Sequence, residues 1–131
     1  MTFTAPWGHI ACAIDESEAS AAALREAARL RALSGGRLSV VNVSAGPPHH
    51  AAGPPPAWLA SAAAEAGGHP VPLRNLGVAA SAVCDWAAEA RVDLLVASAH
   101  RGVRDRILLG SFAGHLARHA PCSVLLVRGS A

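Results

Sequence analysis

Few residues in this chain could do chemistry, and their spacing sorts them. Asp15 follows a short apolar run, so its carboxylate stands at a strand end, where a ligand of such a fold could meet it. Gly110-Ser111 precedes a helical stretch. Small residues there let backbone N–H groups approach an anion, and the helix dipole favours negative charge. The histidines say less. His49-His50 sits among prolines and is a weak metal signal. His115 and His119 are four apart on a helix, which would suit a shared metal, but no acidic or thiol side chain is evident as a further ligand. They read as helix-surface residues. Cys12, Cys84 and Cys122 form an odd, widely spaced set, a poor disulfide framework without metal-ligand spacing. Buried or half-buried thiols in a reducing cytoplasm are expected.

The elements that must position these groups fit one domain over residues 1–131, long enough to bury a core without staples. The apolar fraction is 52%, much of it alanine, as expected of helices packed close to a sheet. No apolar run is long enough to span a membrane, and Met1 to Gly8 lacks signal-peptide character, so a cytoplasmic protein is expected. A net charge of +2 is too weak to argue for nucleic acid. The basic residues are all arginine. Lysine Schiff bases, phosphate-loop lysines and kinase-type lysines are therefore excluded.

Apolar runs and helical stripes alternate. His9–Ile14 reads as a buried strand, and Ser17 as the N-cap of a helix to Leu33, stopped by Ser34-Gly35-Gly36. Arg37–Val43 is a second strand. Ala45–Pro56, with five prolines and two glycines, is a loop. Ala57–Ala66 is a short helix. Val71–Leu76 is a weaker strand whose Pro72 suggests an edge position or a late start. Ala80–Ala90 is a helix, Asp93–Ser98 a strongly apolar strand, Ala99–Leu109 a basic loop. Gly110 to about His119 is the last helix, and Ser123–Val127 the last strand. This order predicts an α/β fold, a five-stranded parallel sheet flanked by helices on both faces. Ligands of such sheets bind beyond the carboxyl ends of the strands, where the strand order reverses.

Three segments resemble the universal stress protein family: Ala13–Ser20 (AIDESEAS), Ser39–Val43 (SVVNV) and, most specifically, Asp93–Arg128, with its ILLGS and HAPCSVLLV. The resemblance covers nearly the whole chain from His9 and weakens between Gly46 and Gly68. It implies a Rossmann-like fold of the adenine nucleotide alpha hydrolase kind, with strand order 3-2-1-4-5. It implies an adenine-nucleotide site, for ATP or AMP with magnesium possible, in which Asp15 lies near the nucleotide and the backbone of Val43 meets adenine. Ser98, Arg101, Gly102, Gly110, Ser111 and Phe112 are then candidate binding residues. The family's signature is glycine, two residues, glycine, nine residues, then glycine-serine or glycine-threonine. Gly110-Ser111 keeps its end. Ser98 and Arg101 fall where its first glycines belong, Gly102 comes one residue late, and the loop is one residue short. Either side chains such as Arg101, Arg104 or Arg106 replace backbone contacts to phosphate, or the site is closed. Without a ligand, Ser111 would serve as an ordinary helix cap. His100 could be read as a general base, but the resemblance implies a loop histidine without catalytic duty.

Rival functions fail on particular residues. A dinucleotide dehydrogenase needs a glycine-rich turn after strand one, where this chain has Asp15-Glu16-Ser17-Glu18. A phosphoacceptor receiver domain needs an aspartate after the third strand and a lysine after the fifth. Two readings survive: a stress-response module with weak or altered nucleotide binding, and a nucleotide-free dimeric interaction module. Neither is an enzyme, since no convincing base, nucleophile or metal cluster is present. A homodimer through Ser123–Val127 is expected, with no nucleic-acid or membrane partner.

Overall fold

The computed structural model describes residues 6–47, 53–100 and 109–129. Five strands and four helices alternate as the hydropathy pattern predicts: β1 His9–Ala13, α1 Glu18–Ser34, β2 Arg37–Ser44, α2 Ala57–Ala66, β3 His69–Arg74, α3 Ala79–Glu89, β4 Leu94–Ser98, α4 Ser111–His119 and β5 Ser123–Val127. All pairings are parallel, in the order β3-β2-β1-β4-β5. The chain winds outward from β1 through β2 to β3, then crosses to β4 on the other side. The strand order therefore reverses beside β1, where a crevice opens.

The two-residue period of the strands builds a core on each face. Ile10 and Cys12 of β1, Leu38 and Val40 of β2, and Leu94 and Val96 of β4 meet Ala23, Ala27, Leu59 and Ala63 of α1 and α2. Ala11, Ala13, Val41, Leu95 and Ala97 face the other way and pack with Val83, Trp86, Ala87 and Leu116 of α3 and α4. Alanine at the helix contacts lets both layers lie close to the sheet. Cys12 and Cys84 are buried and Cys122 half-buried, all three as free thiols. Burial pushes the Cys12 thiol far above its usual range.

Helix α1 starts as its sequence predicts. Ser17 is the N-cap and its Oγ accepts from the Ser20 N–H, while Gly35, at φ +74°, closes the far end. Gly36 is required by close approach: a Cβ there would lie 2.5 Å from the Trp7 carbonyl oxygen.

Strand β3 corrects the sequence reading. It runs His69–Arg74, not Val71–Leu76, so Pro72 marks an edge and not a late start, and Leu76 is 75% exposed. The reason is parity. Val71 and Leu73 alternate with Pro70 and Pro72, and the N–H of Asn75, which shares the parity of Leu73, donates to Ser44. The positions that lack an N–H therefore face the open edge, where no donor is needed.

Candidate functional site

The crevice at the reversal of strand order is a cleft of about 500 Å³. Asp15, Val43, Ser98, Gly110, Ser111 and Phe112 all line it. They come from four places, the turn after β1, the ends of β2 and β4 and the start of α4, separated by up to about a hundred residues of sequence and gathered by the parallel register. Arg101 and Gly102, together with Arg104 and Arg106, lie outside the described residues, as do His49 and His50.

The β1 wall holds itself together. Asp15 is exposed, and its Oδ1 accepts from the Ser17 N–H at 2.8 Å and from the Ser20 hydroxyl at 2.9 Å. Ser20 Oγ in turn accepts from the Asp15 N–H at 2.9 Å. A buried serine thus ties the carboxylate to the first turn of α1, with the N–H groups of Ser17 and Ser20 engaged. Neighbouring β2 is linked in the same way: Asn42 Nδ2 donates to the Ile14 carbonyl at 2.8 Å. Ser20 and Asn42 line the cleft too, and sequence reasoning gave them no role. The Ser17-x-x-Ser20 spacing, two hydroxyl residues across an N-cap turn, was the available signal for Ser20.

The β4 wall differs. Ser98 Oγ donates to the His100 carbonyl at 2.6 Å, and the Gly110 N–H donates to the Ala99 carbonyl at 3.0 Å. Both bonds fix backbone. Gly110 stands at the N-cap of α4 in extended conformation, so helical dihedrals begin at Ser111. The alternative reading of Ser111, an ordinary helix cap in the absence of a ligand, does not hold: Gly110 takes the N-cap position and has no side chain to cap with. Among the described residues no side-chain cap serves the first-turn N–H groups of α4, the position of a helix that favours an anion. His100 lines the same wall at 8% exposure, and among the described residues neither ring nitrogen has a hydrogen-bond partner.

Other expectations find their places. His115 also lines the cleft, 3.3 Å from Ser81 Oγ, and His119 is exposed with ring centres 4.6 Å apart. Among the described residues no three histidine, cysteine or acidic side chains gather as a metal site. Trp86 is buried in the core, its ring edge-on to His9 at 6.0 Å, and Trp58, on α2, is half-buried against the core of that face. Among the described residues no helix is long and apolar enough to cross a membrane.

Comparison with known proteins agrees with this geometry. The universal stress protein family pattern matches residues 6–128. A protein of that family from Burkholderia pseudomallei is 26% identical, with a TM-score of 0.66 over 92% of this chain and 95% of its own. A universal stress protein in complex with cAMP is 20% identical, with a TM-score of 0.72 over 95% of this chain and 99% of its own. The universal stress protein from Archaeoglobus fulgidus in complex with dAMP is 20% identical, at 0.66 over 92% and 98%. The search of curated proteins finds no match. With five parallel strands in this order and a family pattern running almost end to end, the chain belongs to the universal stress protein family.

Proposed function

We propose that this domain binds an adenine nucleotide in the cleft between β1, β4 and α4, and acts as a non-enzymatic stress-response module. The observation that carries this is the shared cleft: the carboxylate of Asp15 and the start of α4 at Gly110-Ser111 line one space of about 500 Å³. The two sides have opposite polarity. The carboxylate repels phosphate and suits ribose hydroxyls or the adenine amine, whereas the α4 N-terminus suits the anionic end. A nucleotide has both ends on one small molecule. Val43 and Phe112 supply apolar lining between them. The structurally similar proteins in complex with cAMP and dAMP support the ligand class.

Magnesium fits as a companion of the phosphates more than as a resident ion. Asp15 is the one carboxylate among the described residues of the cleft, and magnesium commonly takes one carboxylate together with phosphate oxygens. The domain pairs with a second copy through β5. Val124, Leu125, Leu126 and Val127 are only half-buried on this edge strand, and two-fold pairing would cover them. Cytoplasmic placement belongs to the same reading.

The test is direct. Nucleotide released from freshly purified protein is identified by chromatography, then ATP and AMP are titrated by calorimetry with and without magnesium. An adenine nucleotide in the extract, or saturable heat, is expected. Absence of heat at millimolar ligand overturns the reading. Light scattering at micromolar protein gives twice the monomer mass if β5 pairs.

A further inference from the structure

We propose that His115 and His119 of α4 form a two-histidine clip for a divalent transition-metal ion such as zinc or nickel. The inference stands apart from the nucleotide reading. Residues four apart on a helix lie one above the other on one face. Here the two imidazoles meet: their ring centres are 4.6 Å apart and their planes are tilted by 50°. Helical spacing permits that contact without requiring it, since two side chains so placed can also point apart. An ion held by one ring would find the second beside it, at the high effective concentration that makes a chelate.

A second observation comes from α3. His115 is half-buried, and its Nε2 lies 3.3 Å from Ser81 Oγ. Ligating histidines usually donate their other ring N–H to an oxygen of the protein, which fixes the ring and its tautomer. With Nε2–H donated to Ser81, the lone pair stands on Nδ1, the nitrogen left for a metal. His119 is exposed and can turn either nitrogen toward the same ion. Arg118 lies alongside Gly114, on the neighbouring stripe of the helix. Imidazole suits zinc and nickel, whereas magnesium and calcium prefer oxygen. Among the described residues no third histidine, cysteine or acidic side chain joins the pair, so water fills the remaining positions. The clip is therefore an open, exchangeable site, unlike the closed four-ligand sites that hold folds together.

The experiment uses the full chain without nucleotide, titrated with zinc chloride by calorimetry. One zinc per chain is expected, and an excess of magnesium chloride should leave that binding unchanged. His115→Gln and His119→Gln should each lower zinc affinity roughly a hundredfold, since either leaves a single imidazole. Ser81→Ala, which frees the ring, should cost roughly tenfold. The double variant His49→Gln/His50→Gln removes the chain's other close pair of histidines and should bind as wild type does. In protein labelled with 15N-histidine, zinc should move the Nδ1 signal of His115 and a ring signal of His119, and leave His9 and His100 in place. No saturable heat at millimolar zinc overturns the inference. So does an affinity unchanged in both His115→Gln and His119→Gln, or lost only with His49 and His50, because the ion is then held elsewhere. If His115→Gln fails to fold, the exposed His119→Gln and the wild-type ring signals decide. With no nucleotide present, either result leaves the nucleotide reading as it stands.

Discussion

The two poles of the sheet each carry a buried histidine, and their surroundings could hardly differ more. His9, at the amino end of β1, is 5% exposed, and His100, past the carboxyl end of β4, is 8% exposed. Around His9 every polar atom is engaged. Its Nε2 lies 2.7 Å from Ser39 Oγ, and its Nδ1 lies 3.1 Å from the Ala90 carbonyl oxygen and 3.2 Å from the Arg37 guanidinium. In one tautomer Nδ1–H donates to the carbonyl, and in the other the bare nitrogen accepts from Arg37. The His9 backbone N–H donates to Asp93 at 2.9 Å. Around His100 neither ring nitrogen is engaged. Equal burial with unequal satisfaction separates a residue whose polar atoms hold the fold from one whose ring nitrogens the fold leaves without a partner.

Removing the partnered histidine should have the largest effect. His9→Leu leaves the Ser39 hydroxyl and the Ala90 carbonyl buried without their partner, at about 1 to 3 kcal/mol for each group that finds no water. We expect a loss of about 2 to 4 kcal/mol in urea denaturation. A loss under about 0.5 kcal/mol would erase the distinction between the poles.

Next comes the self-satisfied wall of the cleft. Ser20→Ala removes the hydroxyl that serves both the N–H and the carboxylate of Asp15. Asp15 is exposed, so water replaces part of the interaction, and a loss of about 1 to 2 kcal/mol is expected. Nucleotide affinity, measured by calorimetry, should fall as well, because the carboxylate loses its fixed direction. Unchanged stability would mean that the turn is held by the backbone alone.

His100→Leu should be smaller and of opposite sign. It removes two nitrogens that have no partner and keeps an apolar body of similar size, so stability should stay level or rise by up to about 1 kcal/mol. A clear destabilisation would show that His100 has a structural duty and that the two histidines are alike after all.

The sequence made the frame legible because the frame is local. β1, β2, β4 and β5 are short apolar runs, and α1 announces itself through Ser17 and Gly35. β3 slipped by two residues, because a proline at an edge reads as a breaker until the parity of its neighbours is known. Asp15, Val43, Ser98, Gly110, Ser111 and Phe112 do meet in one cleft. Their roles were less legible: Ser111 looked like a cap, yet Gly110 occupies that position. The histidines show the limit most plainly. His9 gains its partners 30, 81 and 84 residues away, across β2 and the turn into β4. His100 is conspicuous only through partners it lacks. Neither fact is written in local periodicity or motif spacing, since both depend on which strands become neighbours.

The smallest expected effect is a pH dependence, and it probes the His9 pole alone. Burial pushes the His9 pKa below its ordinary 6.5, and the positive charge of Arg37 adds to this, against the Ala90 bond and Asp93, which pull it up. The folded protein therefore holds His9 neutral where the unfolded chain would already take up a proton. Between the lowered folded value and 6.5 the unfolded state binds more protons, so stability rises with pH across that window. The contribution is complete above 6.5, falls as the pH drops through the window, and levels off once both states are protonated. Urea midpoints of wild type and His9→Gln, taken in steps from about pH 8 to 5, isolate it, because glutamine does not titrate and the remaining groups are shared. The stability difference between the two proteins should shrink as pH falls below 6.5. A difference that grew instead would mean that the folded state prefers the imidazolium, with the Ala90 carbonyl and Asp93 outweighing burial beside Arg37. His9 would then be a charged anchor, not the neutral, fully bonded counterpart against which His100 stands out.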